Sequence, residues 1–307
     1  KIGGTFACTA ALSALQCDFT TPFSFLTPGV KTITATYDGD ANFSGSTSTT
    51  ASHTVNKANT TTVIANAGTL SSTPSNQGDG YTVTWSVAPV SPGAGPLTGN
   101  VTVSDGTDVC VGAVAAGGCN LISTTSGNKT ITAIYAGDGN FIRSTSPGVS
   151  HTVNDTTAPM VVITYPSATF YYSAGVWNGG FAGAIGDAAG CAPVPLPTGY
   201  TPTGDVCGTA VDNAGGSGIL NVKVSLKQVS TGKFWNGTAS FNVSSETSAM
   251  YTATGTANWK WPFDFTKFAP GNYTLHVVAT DNSNNVANAS RTFSVSSDYA
   301  TIQIMSS

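Results

Sequence analysis

Charge is what this 307-residue chain has least of: 8% of its residues are charged, against about 25% in an ordinary soluble protein. The acid is 14 Asp and the single Glu246, and the base is nine Lys and two Arg. Strong helix formers are therefore scarce, while Thr and Ser together number 80, beside 35 Gly and 15 Pro. That balance of hydroxyl, β-branched and turn residues excludes a helical protein and predicts an all-β one. A net charge of −4 leaves no basic patch, so no nucleic-acid partner is expected. No apolar run approaches the ~18 residues of a spanning helix, so no membrane span is expected. At 40% hydrophobic, the chain is too apolar for global disorder.

Catalytic signatures are also missing. There are three histidines, and no G-x-S-x-G elbow, H-E-x-x-H or phosphate-binding loop occurs. With one glutamate, a paired-carboxylate site would need two aspartates from distant loops. His53 and His151 occupy the same position in two repeats and read as structural, and His276 lies mid-strand. No enzymatic activity is expected.

Six cysteines fall as Cys8/Cys17, Cys110/Cys119 and Cys191/Cys207, with no C-x-x-C among them. That spacing fits neither zinc nor a redox motif. Three local disulfides in an oxidising compartment are the expectation, since near neighbours meet most readily. The protein is expected outside the cell or on its surface.

What is present is a repeat. KTITATYDGDANF at 31–43 recurs as KTITAIYAGDGNF at 129–141, an offset of 98 with ten identities in thirteen positions. SHTVN at 52–56 recurs at 150–154. Alternation within 130–135 puts Ile131, Ala133 and Tyr135 on one face, and YTVTWSV at 81–87 puts Tyr81, Val83, Trp85 and Val87 on another. Residues 137–140 (GDGN) read as the following turn. A period near 100 residues built from short strands is the size of an immunoglobulin-like sandwich.

On this alignment residues 1–56 hold only the second half of a domain, and nothing corresponds to 57–102. Half a sandwich exposes its core face and strand edges. Residues 298–307, with ATIQIMSS at 300–307, read as a further strand, resembling NTTTVIAN at 59–66. Continuation of the same array explains both features, and so does donation of this strand into the next subunit's incomplete first domain.

These residues resemble the bacterial Ig-like repeats of secreted and cell-surface proteins, through TITAxYxGDxNFxxS at 31–46 and 129–144. Residues 155–297 resemble a second Ig-like module of such proteins, through DTTAP at 155–159, CGTAVDN at 207–213, FWNGT at 234–238, WKWPF at 259–263 and GNYTLHVVATD at 271–281. The resemblance implies four parts: an incomplete Ig-like domain at 1–56, a complete one at 57–154, a larger one at 155–297 with a Pro/Gly-rich disulfide loop, and the strand 298–307. It also implies that a junction acid such as Asp155 binds calcium, as in adhesin arrays of this kind. Asp212 and Asp281 sit in Asn/Gly-rich turns able to supply further oxygens. The residues themselves favour the plainer reading, in which these aspartates bond to their own turns and no cofactor is held, and calcium is the alternative.

Trp177, Trp235, Trp259 and Trp261 are concentrated in the third domain. Alternation would bury Trp259 and Trp261 together, so Tyr171, Tyr172 and Tyr200 are the better contact candidates. Nine Asn-x-Ser/Thr sequons occur, at Asn42, Asn59, Asn100, Asn128, Asn154, Asn236, Asn242, Asn272 and Asn288. Together these observations predict tandem immunoglobulin-like β-sandwiches in an extended rod. The expected role is structural: a stalk or filament subunit that associates with identical subunits or continues as one chain. The alternative is an adhesin whose third domain binds a surface glycan or protein.

Overall fold

The computed structural model describes residues 8–14, 16, 27–166, 171–172, 206–263 and 267–295. Strands dominate them, and no helix among them is long and apolar enough to cross a membrane. Contacts divide the chain into two compact units, Lys1–Val153 and Asn154–Ser307.

The second repeat is a two-sheet sandwich. One sheet runs Gly118–Ile122, Gly80–Pro89, Thr60–Ile64, and the other runs Ser75–Asn76, Val149–Asn154, Gly127–Tyr135, Asn100–Ser104, Val109–Ala113. The predicted alternation holds, since Val83 and Trp85 from one sheet and Ile131, Ala133 and Tyr135 from the other are buried in a common core. Burying one face of each sheet while hydroxyl side chains face outward is what a period-two pattern dictates.

Val109–Ala113 and Gly118–Ile122 are the edge strands of opposite sheets. Cys110 and Cys119 join them by a disulfide. The expected local pairing is thus present here, and it clasps the open side of the sandwich where two edges would otherwise part. Gly112 lies beside it, and a Cβ there would come within 2.8 Å of the Trp85 ring, so the close packing of Trp85 requires glycine. Cys8 and Cys207 each take part in a disulfide of their own. Cys17 and Cys191 lie outside the described residues.

The third module has a three-stranded sheet, Met160–Tyr165, Val206–Val211, Asn258–Trp261. Its larger partner is built on Val286–Val295, Gly271–Asp281 and Ile219–Gln228. Trp235, Trp259 and Trp261 are buried in its core with Tyr273, Leu275 and Phe293. Large aromatic surfaces of this kind dominate core energetics.

A short helix, Ala67–Ser72, was not expected from the sequence. Its Leu70 is buried in the core of the second repeat, so tertiary packing rather than propensity accounts for it.

Candidate functional site

Two features carry chemistry or contact potential. The first is a cluster of carboxylates in the third module. Asp155 precedes the Met160–Tyr165 strand, Asp212 follows Val206–Val211, and Asp281 ends Gly271–Asp281. Residues far apart in sequence thereby meet at the ends of three strands, with one oxygen from each within 4.8 Å of the others.

Backbone amides hold each carboxylate. Asp155 Oδ1 accepts from Thr157 N–H at 3.1 Å and its Oδ2 from Ser217 N–H at 2.8 Å. Asp212 accepts from Asn213 N–H at 2.9 Å and Gly218 N–H at 2.5 Å. Asp281 accepts from Ser283 N–H and Asn285 N–H, both at 2.8 Å, and from Asn285 Nδ2–H at 2.9 Å. Burial works to raise the Asp155 pKa, but the hydrogen bonds from Ser217 and Thr157 outweigh it and hold the carboxyl below its ordinary range.

Turn bonding is therefore present, as the local reading expects. It does not account for the convergence of three acids from separate loops. A calcium ion takes oxygens at about 2.3–2.6 Å, so ligands on opposite sides stand up to about 5 Å apart. Three oxygens all within 4.8 Å of one another suit that geometry. The loop closes tightly here, because a Cβ on Gly216 would fall 2.8 Å from Asp212 Oδ2 and 2.5 Å from Asn213 Oδ1. The donor set and its cradle fit a hard divalent cation.

The second feature is the face of the first repeat. Over 29–55 its pairing follows that of 127–153 in the second repeat. Gly29–Ile33 pairs antiparallel with Ala51–Val55 in the register Gly29↔Val55 to Ile33↔Ala51, and the second repeat pairs Gly127↔Val153 to Ile131↔Val149. Tyr37↔Ser46 likewise matches Tyr135↔Ser144. Even the turn is copied: Asp40 Oδ1 accepts from Asn42 and Phe43 N–H, as Asp138 Oδ1 does from Asn140 and Phe141 N–H. Gly39 at φ 88° and Gly137 at φ 83° supply the left-handed backbone that each turn needs.

Burial is where the copies part. Phe141 is 2% exposed and Phe43 is 68% exposed. Ile131, Ala133, Tyr135, His151 and Val153 are all buried, whereas none of the described residues of 1–56 is. Local sequence forms the strands and turns in both, and in the second copy residues of Thr60–Ile64 and Gly80–Pro89 share the core with them.

The sequence model of the bacterial Ig-like domain (group 3) matches residues 1–56 and 68–154. These two segments are bacterial Ig-like repeats. Among solved structures, a tetra-tandem repeat from the extending region of a large adhesion protein is 16% identical, with 89% of this chain and 58% of that one covered and a TM-score of 0.35. The Yersinia pseudotuberculosis adhesin InvE is 15% identical, covering 76% of this chain and 58% of that one, with a TM-score of 0.32. The fibronectin(III)-like modules of Clostridium thermocellum CbhA are 14% identical, covering 76% and 93% respectively, with a TM-score of 0.25. No curated protein matches the chain.

The remaining candidates divide simply. Burial of Trp235, Trp259 and Trp261 makes them core residues rather than a sugar platform. Trp177, Tyr200 and the side chains of Tyr171 and Tyr172 lie outside the described residues. In the second Ig-like repeat His151 is structural: its Nδ1 donates to Leu70 O at 2.8 Å, its Nε2 meets Ser75 Oγ at 2.9 Å, and its ring packs on Tyr81. Its repeat-mate His53 is exposed.

Two polar networks went unread in the sequence. Asp105, buried, accepts from Ser123 Oγ–H at 2.5 Å, and Ser123 Oγ in turn lies 2.9 Å from Tyr81 Oη. On the third module Glu246 Oε1 accepts from Ser225 Oγ–H at 2.5 Å and from His276 Nδ1–H at 2.6 Å. Burial raises the Glu246 pKa, but these bonds and the His276 charge more than offset it. Nothing local marks either set, because each joins separate strands or loops.

Proposed function

We propose that this chain is a non-enzymatic structural segment of a protein outside the cell, part of a surface stalk or filament in which modules follow head to tail. The observation that carries the reading is the tandem repetition itself: the pairing register and Asp-centred turn of 127–153 recur at 29–55. The Cys110–Cys119 clasp supports an oxidising, extracellular setting. Hydroxyl-rich, weakly charged strand surfaces suit side-by-side packing without repulsion. Electron microscopy of the native material with intact-mass measurement tests the reading. Filaments or stalks built of these modules support it, and a dispersed globular protein refutes it.

In this reading Asp155, Asp212 and Asp281 hold a calcium ion where the third module begins. A cation there relieves the mutual repulsion of three close carboxylates and ties together the ends of three strands. Calorimetric titration of the intact chain with calcium tests this. The expected result is one site that Asp212→Asn weakens at least tenfold, and absence of heat with the wild type removes the proposal.

A further inference from the structure

Residues of the helix Ala67–Ser72, the strand Ser75–Asn76 and the start of Gly80–Pro89 line a cleft of about 510 Å³ in the second repeat. That volume lies in the range of small-molecule sites. The fold asks little of the helix beside it, which places only Leu70 in the core.

The walls of the cleft are fixed by bonds made without a ligand. Buried His151 fastens two of them, with its Nδ1 on Leu70 O at 2.8 Å and its Nε2 on Ser75 Oγ at 2.9 Å. Asn66 fastens a third, since its Nδ2–H donates to Thr82 O at 2.9 Å and its Oδ1 accepts from Thr84 N–H at 3.0 Å. The Tyr81 ring lies 4.2 Å from that of His151, and its Oη lies 2.9 Å from Ser123 Oγ. A cleft set in this way loses little binding energy to ordering itself.

The groups that remain for a ligand are mostly neutral. The hydroxyls of exposed Thr69, Thr73 and Thr82 have no hydrogen-bond partner among the described residues. Asp79 engages through Oδ2 alone, which accepts from Asn76 Nδ2–H at 3.1 Å. No lysine or arginine lines the cleft, and both His151 nitrogens are taken. A phosphate or carboxylate would find no cation there. A bare hydrocarbon would strip water from the hydroxyls and replace none of its bonds. A peptide needs carbonyls for its amides, and Leu70 O and Thr82 O are already occupied.

We infer that this cleft binds a neutral saccharide. Sugar hydroxyls donate to Asp79 Oδ1 and exchange bonds with the threonines, while the C–H face of a pyranose covers Pro74 and half-buried Tyr81.

Amide NMR of the intact chain, titrated with cellotetraose, mannotetraose and chitotetraose, tests the inference. Saturable shifts at Thr69, Thr73, Asp79 and Thr82 are expected with at least one of them. Asp79→Ala should weaken that binding by about tenfold or more, through loss of a charged acceptor. Thr69→Arg, which puts a long side chain into the cleft, should abolish it. Both positions are exposed, and thermal melts check that each variant keeps its fold.

Absence of shifts with all of the sugars overturns the inference. So do shifts centred elsewhere, or affinity that survives both substitutions. Shifts at the same amides with the peptide Gly-Ser-Thr-Gly-Ser-Thr, and none with sugar, would make the cleft a peptide site and overturn it too. None of these outcomes touches the stalk reading, which the form of the native material decides.

Discussion

Phe43 and Phe141 are the same residue of the same motif, so replacing each by alanine isolates the effect of environment. A buried phenylalanine removes roughly 200 Å² from water, worth about 5 kcal/mol at 25 cal/mol per Å². That figure is an upper bound, because the unfolded chain already covers part of its surface. Phe→Ala in well-packed cores costs about 3–5 kcal/mol. Phe141, 2% exposed within the core of Ile131, Tyr135 and Trp85, belongs in that range. Phe43, 68% exposed, belongs with surface substitutions at about 0.5 kcal/mol or less. Because the chain has more than one unit, the proper assay is local: hydrogen exchange of the Gly127–Tyr135 strand and of 31–37, by mass spectrometry. Phe141→Ala should accelerate exchange of Gly127–Tyr135 by about two to nearly four orders of magnitude, since ~1.4 kcal/mol is tenfold. Phe43→Ala should change exchange at 31–37 by no more than about threefold. Equal effects in the two repeats would refute the account of their different burial.

Other consequences are as direct. Reducing Cys110–Cys119, nine residues apart, should destabilise the second repeat by about 2.7 kcal/mol on loop-entropy grounds, measured as a lower urea midpoint for Cys110→Ala/Cys119→Ala; an unchanged midpoint contradicts the clasp. Burial raises the Asp138 pKa, but bonds from Asn140 N–H and from the Thr98 N–H and hydroxyl overcome it and bring it to about 2 from an ordinary 3.8. Its contribution is therefore complete above about pH 4 and lost as pH falls through about 2; Asp138→Asn should flatten the acid limb of stability in that window, and an unaltered limb contradicts it. With calcium at a hundredfold over its dissociation constant, the third module should gain about 2.7 kcal/mol, read as a calcium-dependent rise in its melting temperature that Asp281→Asn removes. A melt insensitive to calcium contradicts the proposed site.

Much of this architecture was written in local pattern. The offset of 98 residues located the repeats, and the alternation at 81–87 and 129–135 named the buried faces, because a strand's period of two leaves little freedom once one face is apolar. The exposure of Phe43 was not legible locally, since its neighbours in sequence are those of buried Phe141. The helix at Ala67–Ser72 escaped notice because its sequence, AGTLSS, has weak propensity and is held by Leu70 in the core. Asp155 was singled out from its place at a domain junction and Asp212 and Asp281 from their turns; that they converge depends on strand register across the third module, which no local motif carries. The Asp105–Ser123–Tyr81 and Ser225–Glu246–His276 networks were hidden for the same reason.

The proposal that 1–56 and 57–154 are successive modules of a surface stalk or filament is tested most directly by cryo-electron microscopy of the native material. Sandwiches with the two sheets seen at 60–153, repeated head to tail, are the expected result, and separate globular particles would contradict it.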